Sequence, residues 1–272
     1  MKVQRFENEI CEIDAKLLKK DEYSFFVLTR IIKGVCRLTV TDRENFIVCY
    51  SSAPYPVWIW LPDGASEELQ EFVYQTVKEN FEIEKYRFNT KYFFAEYMIR
   101  RSNEDKNPLK IAQNIFSYRC FQAVAPRKIA DGGFSVAKQE DLEEIVTLSE
   151  YFHNDVGIDK QSRAEYREKA EAQIKLGQFF LWIDGQGEIV ATCTYNVSEE
   201  KACLGRVYTR EDKRRRGYAA NLVYQTTLRI LEKGLIPILY ADADYAASNA
   251  CYEGIGYQRQ GELCTLESAK LH

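Results

Sequence analysis

The sequence predicts an α/β chain (α+β where helices and strands segregate) in two parts, the second built on a mixed central sheet. Three observations predict it. Downstream of residue 133 the apolar spacing switches repeatedly between the helical and the strand period. A strand-like run, Ala202 to Tyr208, leads into a basic, glycine-containing loop and then an amphipathic helix. A polar break from Ala125 through Gly133 divides the 272 residues into parts of 1–126 and 127–272.

The first part is the less regular. A helix is expected from about Ala15 to Lys33, then strands Asn45 to Tyr50 and Val57 to Leu61. Ser66 is a good N-cap for a helix ending near Asn80. Lys91 to Arg100 reads as helix, and Lys110 to Ala123 as mostly extended.

In the second part Glu140-Asp141 opens a helix whose Leu142, Ile145, Val146 and Phe152 keep helical spacing. Ser162-Arg163-Ala164-Glu165 is a capping box starting a second helix that ends near Gly177. Strands Phe179 to Asp184 and Glu188 to Tyr195 flank Gly185-Gln186-Gly187, a hairpin turn, and Ala202 to Tyr208 extends the meander. The next helix, Tyr218 to Lys233, is closed by Gly234. Pro237 introduces the strand Ile238 to Ala241, which must return parallel through a right-handed crossover. A short helix around Ser248 to Glu253 and a last strand complete the pattern.

Composition narrows the function classes. A formal charge of −4 argues against a general nucleic-acid binder. Apolar runs such as Val57 to Leu61 are far too short to cross a bilayer. No apolar segment follows Met1-Lys2-Val3-Gln4-Arg5-Phe6-Glu7, so neither a signal peptide nor a membrane partner is expected. The eight cysteines are scattered singly with no C-x-x-C pair, and the chain has two histidines, which disfavours zinc. Reduced thiols in a cytoplasmic protein are the expectation.

The loop Arg214-Arg215-Arg216-Gly217-Tyr218-Ala219 carries the chemistry. It stands where a strand hands over to a helix, and the first N–H groups of a helix and the positive end of its dipole attract anions. Gly217 lets the backbone approach an anion closely, and arginines add charge-assisted bonds. The plain alternative is a solvated basic turn, or a nucleic-acid patch over Lys213 to Arg216. Location inside a βαβ unit favours the ligand, because ligands bind beyond the carboxyl ends of the strands.

From Gly205 to Ala219 the sequence resembles the acetyl-CoA motif of the GNAT N-acetyltransferase superfamily, Arg/Gln-x-x-Gly-x-Gly/Ala, matched by Arg214, Gly217 and Ala219. Leu239-Tyr240-Ala241-Asp242 and the segment from Ser248 to Tyr257 look like the second signature of that family. The match covers roughly Phe134 to Leu266. It implies a GNAT-type mixed sheet and acetyl transfer from acetyl-CoA to a primary amine. It also implies that backbone groups of Val207, Tyr208 and Thr209 pair with the pantetheine arm. Amides of Arg214, Arg215, Arg216, Gly217, Tyr218 and Ala219 would hold the pyrophosphate. Asn249 would line the cofactor channel, and Tyr252 would protonate the departing thiolate. No metal is implied. One departure is Tyr245, where many members carry asparagine.

The general base is not legible. Glu150, His153 and Asp155 are candidates at the end of one helix, with Asp155 taken as the catalytic choice; an ordered-water relay is the alternative. Trp182, Tyr195 and Phe152 are either pocket walls or core. The first part repeats the strand–loop–helix pattern at Trp58 to Glu68, but its loop carries Asp63, Glu67 and Glu68, which would repel a pyrophosphate. It reads either as a degenerate GNAT-like half or as an unrelated α/β domain. A non-catalytic CoA-binding regulator is the second functional reading. The acceptor amine is not specified, and a homodimer stays open.

Overall fold

Element order and strand pairing run twice through the chain in one pattern: a strand, a helical segment, a three-stranded antiparallel meander, a helix, a parallel strand, a helix and a long strand. The computed structural model describes residues 2–14, 16–156 and 161–270. Two compact units result, one of Met1–Ser117, Ala241–Asp244 and Gln260–His272, the other of Tyr118–Tyr240 and Tyr245–Arg259. The last strand of the chain therefore completes the first unit.

In the first unit β1 (Gln4–Phe6) and the six-residue α1 (Phe26–Ile31) precede the meander β2 (Leu38–Thr41), β3 (Ile47–Tyr50) and β4 (Val57–Trp60). Then come α2 (Glu67–Asn80), β5 (Phe88–Thr90), α3 (Tyr92–Glu104) and β6 (Leu109–Arg119). Every residue of β2, β3 and β4 is buried; β3 and β4 accordingly read as continuous apolar runs, whereas β2 interleaves Thr39 and Thr41 with Leu38 and Val40. The Ser66 hydroxyl caps α2, accepting from the Leu69 N–H at 3.3 Å.

The second unit holds β7 (Gly133–Val136), α4 (Leu142–Val156), α5 (Arg163–Lys175), β8 (Phe179–Ile183), β9 (Ile189–Ser198) and β10 (Lys201–Thr209). These are followed by α6 (Tyr218–Glu232), β11 (Ile236–Asp242), α7 (Ala246–Gly254) and β12 (Gln258–Ser268). The capping box at Ser162 forms as predicted, Ser162 and Glu165 exchanging hydrogen bonds. β8 and β10 flank β9 antiparallel, and β11 returns parallel to β10, so the sheet is mixed as the sequence predicted. One face packs α4 and α5 over Leu181, Ile189 and Tyr208. In the first unit β12 pairs with β5, Cys264 opposite Thr90 and Leu266 opposite Phe88, and both residues enter that unit's core.

Three expectations fail locally. No helix spans 15–33: a single 3-10 turn at Lys19–Asp21 precedes α1, and the expected start at Ala15 lies outside the described residues. Asp14 bonds the Lys16 N–H, turning the chain, while Asp21 is drawn away by Trp60 and Lys91. β1, β2 and β5 escape notice because three or four residues carry too little periodicity. β7 escaped because Gly132-Gly133 reads as a break. Gly132 has φ +81°, and a Cβ there would fall 1.9 Å from the Ile183 carbonyl oxygen, so glycine marks a close strand approach.

β4 and β5 pair in parallel only through Val57–Phe88 and Trp58–Asn89. Beyond that point the buried Lys91 ammonium bonds Asp21 and Asp63, each at 2.7 Å, and the Trp60 indole N–H donates to the same Asp21 oxygen at 2.8 Å. The ends of these strands are thus tied by an ion pair. Removing the cation leaves Asp21 without its main partner, so Lys91→Ala is expected to cost about 3 kcal/mol in urea unfolding.

Candidate functional site

The second unit opens its sheet at one place. β10 and β11 pair over Lys201–Leu204 and Ile236–Leu239, and from Gly205 onward β10 runs against β9 alone. The cause is local. Between Gly205 and Tyr208 the β9–β10 register slips by one residue, with Arg206 at φ +49°. An extra residue in one strand bends it and increases its twist. Two β9 hydroxyls fasten the bulge, Thr194 donating to the Gly205 carbonyl at 3.1 Å and Thr192 to that of Arg206 at 3.2 Å.

Past Thr209 the chain makes a short turn and enters α6 through a loop with Arg215 at φ +64° and Gly217 at φ +94°. Such reversals of backbone hand make successive N–H groups converge, the geometry of an anion nest. Gly217 is the N-cap of α6 and, having no side chain, caps nothing. Among the described residues no group accepts from the backbone N–H groups of 215–219. The Thr209 hydroxyl at the end of β10 is buried and also lacks a partner among the described residues.

The four basic side chains at this loop are not equivalent. Lys213 is buried and bonds Asp184 at 2.8 Å and Glu188 at 2.5 Å. That bond to Lys213 holds the Asp184 carboxyl down at about 2. Arg214 pairs with Asp155, donates to the Thr209 carbonyl at 3.2 Å and lies over the Tyr208 ring. Arg215 and Arg216 are exposed like Arg214 but outside its ion pair, Arg216 donating to the Asp212 carbonyl at 3.4 Å. A further cation comes from far along the chain: Lys128 Nζ reaches the Arg215 carbonyl at 3.4 Å, its backbone anchored by the Asn221 amide at 2.8 Å. Sequence reading left Lys128 in a linker; its one signal was the Arg127-Lys128 dipeptide.

On α7, Asn249 is committed to the protein. Its amide donates to the Tyr245 carbonyl at 3.2 Å and its oxygen accepts from the Tyr118 hydroxyl at 3.3 Å. Tyr245 is the exposed N-cap residue of this helix. Tyr252 is buried between the rings of Tyr118 and Tyr257, and burial raises its phenol above the ordinary tyrosine value. No described group bonds its hydroxyl.

The three base candidates separate. Glu150 pairs with Arg163 at 2.6 Å, Asp155 pairs with Arg214, and His153 is buried with one ring nitrogen on a backbone carbonyl. Trp182 and Tyr195 are core residues, the first bonding the Asp131 carbonyl at 2.8 Å, the second accepting from Lys233 at 2.7 Å. Phe152 packs on Tyr208.

A family model for FR47-like proteins matches residues 184–266, the span that holds the bulge, the loop and α7. The structure superposes on a GCN5-related N-acetyltransferase from Sphaerobacter thermophilus with a TM-score of 0.70 at 14% identity, covering 93% of this chain and 91% of the other. The chain has the GNAT fold. A GNAT-family acetyltransferase from Colwellia psychrerythraea matches with a TM-score of 0.60 and 13% identity, over 98% of this chain and 99% of that one. A GCN5-related N-acetyltransferase from Kribbella flavida gives 0.59 and 14%, over 94% and 96%. No curated protein matches the sequence.

A cleft of about 800 Å³ lies between α4 and the end of β10, lined by Glu144, Leu148, Tyr151, Asp155, Tyr208 and Asp212, with Arg210 as the opposing charge. That lining repels a diphosphate, and none of residues 214–219 opens into it. No helix among the described residues is long and apolar enough to cross a membrane.

The Asp184–Lys213 pair holds the turn before the loop, so acid should loosen it. Asp184 is depressed in the fold, so its contribution is complete above an unfolded carboxyl value near 3.9 and fades as pH falls towards 2. Melting temperatures of wild type should therefore fall more steeply between pH 4 and pH 2 than those of Asp184→Asn, which starts lower.

Proposed function

We propose that the second unit is an acetyl-CoA-dependent N-acetyltransferase that acetylates a primary amine by direct attack on the thioester. The observation that carries this reading is the conjunction of a strand edge released by a bulge with a helix N-terminus whose amides are unclaimed. The free edge of Val207, Tyr208 and Thr209 suits an amide-bearing arm, which can pair with it as an added strand would. The amides of Arg215 to Ala219, with the Thr209 hydroxyl and the exposed Arg215, Arg216 and Lys128, suit a diphosphate. Arg214 belongs to this reading as a support, its side chain pinning the end of β10. Asn249 would act from within the channel wall by holding Tyr118 and the first turn of α7.

Tyr252 is the proposed general acid. A buried phenol stays protonated at neutral pH, and the burial that disfavours phenolate disfavours a nascent thiolate in the same surroundings. Asp155, bound to Arg214, is better suited to fixing that arginine than to taking a proton from the amine. The first unit follows the same element order, yet Lys91 and Asp63 tie its parallel strands where β10 and β11 part, and its loop is acidic. We take it as a GNAT-like half without a CoA site.

Titration calorimetry should find one CoA per chain, and acetyl-CoA with a panel of amines should release free thiol. Tyr252→Phe is expected to lower kcat by about 10²-fold or more while leaving the KM for acetyl-CoA unchanged. Gly217→Val, forcing a branched side chain to a positive φ, is expected to weaken CoA binding by about tenfold or more. Tight CoA binding without thiol release from any amine would favour a regulatory CoA-binding protein instead.

A further inference from the structure

The last turns of α4 carry three groups able to take a proton, and two are already engaged in the ion pairs of Glu150 with Arg163 and Asp155 with Arg214. Proton transfer to either would break its ion pair. His153 is the third. It is 6% exposed, and its Nδ1 lies 2.8 Å from the Ser149 carbonyl oxygen. A carbonyl only accepts, so Nδ1 bears the hydrogen and Nε2 keeps a lone pair. Among the described residues nothing bonds Nε2.

The surroundings of the ring keep that lone pair available. The Tyr166 ring of α5 lies 4.9 Å away between centroids, and the Phe152 ring of its own helix 5.4 Å away. Two cations act on it, Arg206 from the β10 bulge and Lys169 from α5. Burial comes first in lowering the imidazole below its ordinary value, these charges add to it, and the bond to Ser149 works in the opposite direction. The base thus lies one ring away from β10, since Phe152, 5.4 Å from the imidazole, packs 6.5 Å from the Tyr208 ring at the end of the bulge.

We propose that His153 is the general base of the acetyl transfer, its Nε2 taking a proton from the acceptor's ammonium group beside the β10 bulge. The inference rests on the acetyl-transfer reading above. The protons balance. The ammonium gives one to Nε2, and the freed amine nitrogen bonds the thioester carbon as the carbon–sulfur bond breaks. Sulfur receives a proton from Tyr252, and the second proton lost by the nitrogen restores that phenol. The products are an amide, a thiol and one proton, passed from His153 to water.

The chain has two histidines, so a His272→Gln background leaves one imidazole signal for NMR. The acid limb of kcat/KM for a reactive amine should follow that signal's titration, below the ordinary value of about 6.5. His153→Gln should lose about 10²-fold or more in kcat/KM for the amine, lose the limb, and keep the KM for acetyl-CoA and the CoA affinity. Wild-type turnover with an equally active His153→Gln, or with a limb that persists in it, overturns the assignment and leaves acetyl transfer standing. Wild type that binds CoA and acetylates no amine overturns both. Should His153→Gln fail to fold, the wild-type comparison decides alone, and a limb more than about one pH unit from the NMR titration overturns the assignment.

Discussion

One extra residue in β10 is the constraint on which the second unit's site depends. A regular β10 would keep its parallel partner to the end, and its backbone groups would be spent on the sheet ladder. The slip between Gly205 and Tyr208 releases them, and the threonines of β9 absorb the carbonyls that the slip would otherwise strand. A buried carbonyl without a donor costs free energy comparable to a lost hydrogen bond, so Thr192 and Thr194 are part of the opening. Everything downstream inherits its direction from this bend: the turn held by Lys213, the loop through Gly217 and the start of α6.

The cations around the loop fall into two sets, paired and exposed. Lys213 and Arg214 look from the sequence like half of a phosphate-binding cluster, yet both are neutralised by carboxylates from other elements, Asp184 and Glu188 for one, Asp155 for the other. Their work is to place the backbone. The amides of 215–219 are left without an acceptor among the described residues, with Arg215 and Arg216 exposed and Lys128 reaching the same loop. The same division appears on α4, where Glu150 and Asp155 hold arginines while His153 keeps an unengaged nitrogen.

The two units show how one element order can end differently. In each, a parallel strand pair separates after a few residues. In the first unit a buried lysine bridges two carboxylates across the ends of β4 and β5, so polar groups there are satisfied internally. In the second unit the comparable backbone groups of the loop have no acceptor among the described residues. An uncompensated set of donors is what a ligand can use, and a compensated set is not.

The order of elements from α4 to β12 was legible because each carries enough periodicity or a recognisable cap: the capping box at Ser162, the apolar face of α6, the glycine at its entrance. The arginine–glycine loop and the Ser248 to Tyr257 segment were legible as motifs. Short strands such as β2, β5 and β7 were not, since three or four residues hold less information than their long-range partners supply. Nor could the sequence tell a free arginine from a paired one, a core tryptophan from a pocket wall, or an engaged carboxylate from a histidine with a free lone pair. It determined which groups are present and which local elements they ride on. Which partners they meet was decided by tertiary structure, because pairing Asp155 with Arg214, or Lys128 with the loop, depends on distances across the fold that no local pattern encodes.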